Sequence, residues 1–344
     1  MSLSAHFTKA VGGFTLRVDI EEESGILGLL GASGAGKSMT LSCIAGLVAP
    51  TDGYIAVDGA VWYDSARKIN LPPQKRRAGL LLQNGALFPN MTLLQNVGAG
   101  VRDAKKRDAL CKRLIGLLRL NGLEQQYPAQ LSGGQQQRAA LARTLASEPR
   151  LLLLDEPFAA LDARLAAEIS QDLLPLLQGF GGNVVYVSHQ LEELYQCAAR
   201  LCVMHKGHMV ESGDTKALFA APKTLESARL FGCRNFLPLI QSENGIFANA
   251  LCSHLAPQAA NNQMCGIYES RIFAAPLGSA RANATVMRKS TLPDKTILQA
   301  QLASGEQLYL TAAREAPFAA GDAIGIAFCD ADFFFCKPYQ AHDV

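Results

Sequence analysis

Gly31 to Ser38, reading GASGAGKS, constrains this chain more than any other stretch, because its glycines and lysine–serine pair stand between an apolar run and a helical pattern. Upstream, Ile26 to Leu30 form a buried-strand run; downstream, Leu41, Ile44, Ala45, Leu47 and Val48 recur at helical spacing. A strand feeding a helix through such a loop turns the helix N-terminus, with its free amides and positive dipole end, toward phosphate oxygens. Gly31, Gly34 and Gly36 remove side chains that would block those amides, and Ser33 and Ala35 complete the small-residue loop. Lys37 brings a positive charge to the outer phosphates, and the Ser38 hydroxyl is an oxygen ligand for Mg²⁺. An ordinary glycine-rich turn is the competing reading, and the flanking strand and helix patterns count against it. The segment predicts an α/β fold that binds a nucleoside triphosphate.

Two later segments narrow the chemistry. Leu131 to Gln135 read LSGGQ, ahead of the helix-forming run Gln136 to Ala146, so Ser132, Gly133, Gly134 and Gln135 offer a second helix start with small residues and exposed amides. Leu151 to Glu156 read LLLLDE; four leucines predict a buried central strand that delivers Asp155 and Glu156 to its C-terminal edge, where ligands of such sheets bind. In this order and spacing the segments resemble the ATP-binding cassette family, over roughly residues 26–213. The resemblance implies ATP and Mg²⁺ as ligands, with Ser132 and the following glycines reaching the γ-phosphate held by a partner subunit. It further implies that Gln83, after the strand Ala78 to Leu82, contacts Mg²⁺ and the attacking water and senses a membrane partner. Asp155 is implied as a metal holder through water, Glu156 as the general base, and Ala159 to Asp162 as the loop coupling two sites. His189, after the strand Val184 to Ser188, is implied as a hydrogen-bond donor to the γ-phosphate. At Met39 the family usually has serine or threonine; the amide remains, but one hydrogen bond to the α-phosphate, net about 0.5–1.5 kcal/mol, is lost. Val11 and Phe14 are the local candidates to meet adenine, and only Phe14 is aromatic.

A chain of 344 residues has room for two domains. The expected division is an ATPase domain over 1–232, with a helical subdomain between Val97 and Tyr127, and a C-terminal domain over 233–344. Ala109, Leu110, Leu114, Leu117, Leu118 and Leu120 mark the expected apolar stripe of that subdomain. The net charge of +2 makes no electrostatic case for nucleic acid as a partner. No apolar run approaches the ~20 residues of a membrane span, and the N-terminal MSLSAHFTKAVGG lacks the apolar core of a secretory signal, so a cytosolic chain is expected. Nine dispersed cysteines without a CxxC pair read as reduced, buried small hydrophobes rather than metal or redox groups.

From about Asn235 short runs split by turn residues predict a small β-barrel, with Thr296 to Leu302 and Leu308 to Thr311 flanking a hairpin turn at Ala303 to Glu306. It resembles the C-terminal barrels of importer ATPases, of the MOP or TOBE type, although Tyr268 and Glu269 stand where that pattern has arginine and proline. Ile69 to Leu94, INLPPQKRRAGLLLQNGALFPNMTLL, is similar to the molybdate importer ATPases. The implied protein is the ATP-hydrolysing subunit of an oxyanion importer: a homodimer on the cytoplasmic face of the membrane, bound to integral permease subunits and served by a periplasmic or lipid-anchored solute-binding protein. A sulfate, polyamine or iron importer is the alternative. A soluble cassette ATPase acting on DNA or ribosomes would carry a coiled-coil insertion or a second cassette, and neither pattern is present. A vestigial ATPase is disfavoured because Lys37, Asp155, Glu156 and His189 are all there.

Overall fold

Burial along each strand decides how it pairs. In the computed structural model, which describes residues 2–81, 87–101, 103–159, 161–242, 245–248, 253–255, 264–275, 277 and 282–339, strands β1 (Leu3–Val11) and β2 (Phe14–Glu22) alternate between buried and exposed residues for much of their length. They form an antiparallel hairpin closed at Gly12, whose φ of 57° suits glycine, with Val11 opposite Phe14. By contrast, β3 (Ile26–Gly31) is buried at every position. The chain continues through α1 (Lys37–Ala45), β4 (Asp52–Val57), β5 (Ala60–Asp64), β6 (Ile69–Asn70), α2 (Pro73–Arg76), β7 (Ala78–Leu81), α3 (Leu93–Ala99), α4 (Arg107–Leu117) and α5 (Gly133–Ala146). Next come β8 (Leu151–Asp155), α6 (Ala163–Gln178), β9 (Asn183–Val187), α7 (Leu191–Cys197), β10 (Arg200–His205) and β11 (His208–Asp214).

These strands make one eleven-stranded sheet in the order β6-β5-β4-β1-β2-β11-β10-β3-β9-β8-β7. Only the block β10-β3-β9-β8-β7 is wholly parallel. The expected α/β fold is present, and the sheet is antiparallel at most of its other pairings: β1 with β2 and β4, β4 with β5, β5 with β6, and β10 with β11. The physical reason is coverage. Leu151 to Leu154 and Val184 to Val187 are at most 2% exposed and need cover on both faces, whereas β2 alternates and keeps one face toward water.

The helical segment differs in detail from its expected stripe. Helix α4 buries Cys111, Leu114 and Ile115, followed by Leu118 and Leu120, while Ala109 is exposed and Leu110 and Leu117 are half-buried. Buried Arg138 of α5 donates to the Leu118 and Arg119 carbonyls, capping the end of this helix from its neighbour. Within α3, the fully buried Asn96 donates to the carbonyls of Phe88, Met91 and Thr92 and accepts from the Phe88 amide, which fixes the preceding loop 88–92.

The chain divides into compact units at Thr215/Lys216. The second unit carries most of α8 (Thr215–Ala220) and then α9 (Leu225–Leu230), β12 (Asn235–Ser242), β13 (Gly245–Ala248), β14 (Ser253–Leu255), β15 (Met264–Ile267) and β16 (Phe273–Ala275). It ends with β17 (Ala282–Thr291), β18 (Thr296–Leu302), β19 (Gln307–Ala312), β20 (Ala323–Ala327) and β21 (Phe334–Cys336). Two five-stranded antiparallel sheets result, ordered β14-β13-β12-β15-β21 and β16-β20-β17-β18-β19. The expected hairpin is present as β18 and β19, with Gly305 at φ 98° in the turn. Residues 216–232, which the sequence reading placed with the first domain, pack in the second unit. Leu225 and Ala228 cluster with Cys233, Phe334 and Cys336, and Leu225 and Lys337 are joined by a backbone hydrogen bond.

Candidate functional site

The loop after β3 is shaped by what its glycines permit. A Cβ on Gly31 would lie 2.6 Å from the Met204 carbonyl oxygen of β10, and one on Gly36, at φ 108°, would lie 2.8 Å from Leu16 Cδ1. Gly34 sits at φ 78° in open space, so backbone conformation alone favours glycine there. Ala35 is buried, while Ser33 and Ser38 are exposed at the loop mouth. The Lys37 ammonium, buried, donates to the Gly31 and Ala32 carbonyls at 2.7 and 3.1 Å and so holds the loop's shape from within. Burial pulls its pKa below the ordinary lysine value, against the pull of Glu156 and Asp155 nearby.

Asp155 ends the fully buried β8, with Ser38 beside its carboxylate. Burial raises the Asp155 pKa, and the Glu156 charge adds to the rise; the Ser38 hydroxyl and Lys37 oppose it. Glu156 leaves the strand with φ 48°, a left-handed conformation that an L-residue adopts at a cost. It is held there by its amide donating to Val187 O and by Gln137 Nε2 donating to its carbonyl at 2.8 Å. His189 follows β9, and its Nδ1 stands 3.3 Å from Glu156 Oε1, with the imidazole 60% exposed and the carboxylate 20%. Lys37, Ser38, Asp155, Glu156 and His189 therefore meet at the C-terminal edge of β3, β8 and β9, where doubly wound sheets bind ligands.

The hard oxygens of Ser38 and Asp155, beside a cradle that any Cβ at Gly31 or Gly36 would fill, suit Mg²⁺ bound jointly by protein and phosphate. Among the described residues no cluster of three or more His, Cys, Asp or Glu could hold a metal without such a ligand. Gln83 and Ala160 lie outside the described residues. Met39 is half-buried and packs against the core. Phe14 also packs on that core, its Cζ 3.0 Å from where a Gly207 Cβ would lie, whereas Val11 is 48% exposed.

The second helix start is built but opens outward. Ser132 caps α5: its Oγ accepts from Gln135 N at 3.3 Å, its own amide donates to Gln135 Oε1 at 2.8 Å, and its hydroxyl hydrogen is left to donate elsewhere. Ser132 and Gly133 are exposed and Gly134 and Gln135 half-buried. Past β8, Asp162 caps α6 by accepting from Leu165 N, with the Ala159 amide bonded to Glu156 O. Sequence reasoning missed Gln137 and Glu193. Gln137 is 3% exposed inside a polar QQQR run, and nothing in that run marks which of its amides is buried.

Residues 15–159 match the family model described as ABC transporter. The chain is 38% identical over 247 residues to the Fe(3+) ions import ATP-binding protein FbpC of Brucella abortus, covering 69% of this chain and 68% of the relative. It is 38% identical over 213 residues to the Molybdenum import ATP-binding protein ModC of Rhodospirillum rubrum, covering 61% and 58%. To the Spermidine/putrescine import ATP-binding protein PotA of Bacillus cereus it is 38% identical over 243 residues, covering 69% and 71%. Among solved structures, the ATP-binding cassette MJ0796, a dimer in a post-hydrolysis state bound to ADP and Pi, superposes with a TM-score of 0.52 at 27% identity, over 62% of this chain and 98% of that one.

Proposed function

Because the chain belongs to the ABC transporter family, as an ATP-hydrolysing transporter subunit, we propose that it powers solute import by closing as a homodimer on two molecules of Mg-ATP. The observation that carries this reading is the meeting of Lys37, Ser38, Asp155, Glu156 and His189 at one sheet edge. Phosphoryl transfer needs positioning and charge neutralisation more than covalent help. Lys37 and the amides of residues 33–39 bind the phosphates, exchanging the loop carbonyls for phosphate oxygens at the ammonium. Ser38 and Asp155 would hold Mg²⁺, which would supply positive charge to neutralise the phosphates. Glu156 orients the attacking water and takes its proton, and His189 donates to the γ-phosphate. Ser132, Gly133, Gly134 and Gln135 of a second copy close the site, through a hydroxyl that only accepts within its cap and an exposed helix N-terminus.

The role of Glu156 is tested by Glu156→Gln, which keeps the side-chain shape and removes the base: hydrolysis falls by about 10² or more while ATP binding survives. Unchanged turnover rejects the assignment.

An importer ATPase works at the cytoplasmic face of the membrane with a permease fed by a solute-binding protein; no helix among the described residues is long and apolar enough to cross a bilayer. Gln83 and the loop 84–91 form the permease-facing surface in this reading. Phe88, 46% exposed with its ring against the Arg143 guanidinium, is one of its described apolar residues. The cargo we assign is an oxyanion, molybdate, on the likeness of residues 69–94 to molybdate importer ATPases. Relatives named for iron, molybdenum and polyamine import are equally identical at 38%, so identity does not select among them. Uptake by the reconstituted transporter decides: molybdate accumulation supports the assignment, and accumulation of ferric iron or spermidine instead rejects it. The second unit supplies no residue to the site described; we assign it as a regulatory barrel of the MOP or TOBE type that contacts its counterpart in the dimer.

A further inference from the structure

We propose that Glu193, in the first turn of α7, is the positioning residue that holds His189 against Glu156, an inference that rests on the role given to His189 above. The connection from β9 to α7 is only Ser188, His189 and Gln190, and it is tied to Glu193 through the Ser188 hydroxyl. Ser188 Oγ donates to Glu193 Oε2 at 2.7 Å, and the Gln190 amide donates to Ser188 Oγ at 3.0 Å. From within β9, the Tyr186 hydroxyl donates to the same Oε2 at 3.3 Å. Tyr186 and Ser188 are 2% and 4% exposed, so their hydroxyls have no bulk water to turn to.

His189 is different: its imidazole is 60% exposed and meets Glu156 without a surrounding wall. The aim of an exposed ring then depends on the backbone beneath it, and Glu193 ties that backbone to the strand before and the helix after. The groups facing Glu193 are Tyr186, Ser188, His189, Glu156 and Cys197. Burial raises its pKa above the ordinary carboxylate value and Glu156 adds to this, while Ser188, Tyr186 and His189 oppose it. Both hydroxyl contacts use Oε2 as an acceptor, a task a carboxamide oxygen also performs. Adjacent Glu192 is exposed and provides the control.

The test is steady-state ATP hydrolysis by the full-length protein. Glu193→Ala lowers kcat about tenfold with KM for ATP changed less than about twofold, Glu193→Gln and Glu192→Ala stay within about twofold of the parent, and Ser188→Ala falls in the same direction as Glu193→Ala. In a His189→Ala background, Glu193→Ala adds no further loss. The proposal is overturned if Glu193→Gln is as impaired as Glu193→Ala, if Ser188→Ala leaves kcat unchanged, if the loss appears in KM alone, or if it multiplies with that of His189→Ala. Because Ser188→Ala leaves α7 and its acid intact, it decides the matter even where Glu193→Ala fails to fold. Parental activity in His189→Ala rejects the role of His189 itself, whereas an inactive His189→Ala beside a fully active Glu193→Ala rejects only its positioning by Glu193.

Discussion

Arg76 is fully buried, and each of its hydrogen bonds goes to a neutral oxygen: Leu71 O, Cys43 O, Ile44 O and Asn70 Oδ1. Two of these carbonyls belong to the last turn of α1, whose negative dipole end compensates the cation. Gly46 follows at φ 84°, and a Cβ there would lie 2.5 Å from Arg76 Nε. The guanidinium thus joins the far end of the phosphate-loop helix to the segment leading into β7. Replacement by Met removes every donor at once and leaves buried carbonyls unmet. Arg76→Met is expected to lose about 3 kcal/mol or more in urea unfolding, and Arg76→Lys to recover only part, because an ammonium lacks the planar fork. A loss below about 1 kcal/mol rejects this account. Nothing in the run QKRR marks Arg76 as buried and Arg77 as exposed; only the fold separates them.

Among the elements, the β3–loop–α1 unit and the β1–β2 hairpin carry predictions of different kinds. Gly31→Ala forces its new methyl against a strand backbone oxygen rather than a flexible side chain, so the loop must shift. ATP affinity, read by nucleotide titration, is expected to fall about tenfold or more, with unchanged affinity counting against the geometry. In the hairpin, His6 Nδ1 lies 2.5 Å from Asp19 and Nε2 2.6 Å from Glu21. Burial lowers its pKa, but the bonds and charges of Glu21 and Asp19 outweigh burial and leave it raised above 6.5. A histidine whose folded pKa is raised contributes stability that is fully present below its unfolded pKa and lost as pH rises through the folded one. Thermal melts at about pH 5.5 and 8.5 should therefore show a loss toward the higher pH that shrinks in His6→Gln; an identical pH response in both proteins counts against the clamp. The parallel block was legible from uninterrupted runs such as LLLLDE, and both helix starts from their small residues. The antiparallel half of the sheet was not anticipated, although β2 alternates cleanly, because a nearby nucleotide motif favours a uniformly wound reading. Glu193 was invisible because an acid in a first helical turn is ordinarily just a dipole partner; its two hydroxyl contacts exist only once β9 and α7 are adjacent.

For the whole molecule, the place where the chain divides has consequences for truncation. Phe219 and Phe231 stack at 4.4 Å, and α9 shares its apolar face with Phe334 and Cys336, all within the second unit. A protein ended after about Gly232 exposes that face, whereas one ended at Thr215 does not carry it. The shorter product is expected to be the more soluble at equal concentration by light scattering, and the reverse ordering rejects the boundary. If the second unit regulates import, transporter lacking it loses inhibition by molybdate while the intact protein retains it. One feature at position 156 bears on how this protein ages under selection. The left-handed backbone of Glu156 is a strain that any glycine relieves, so a population screened only for heat resistance would accumulate Glu156→Gly and similar changes, and its hardiest survivors would be idle motors. Durability and work are set against each other at a single peptide unit.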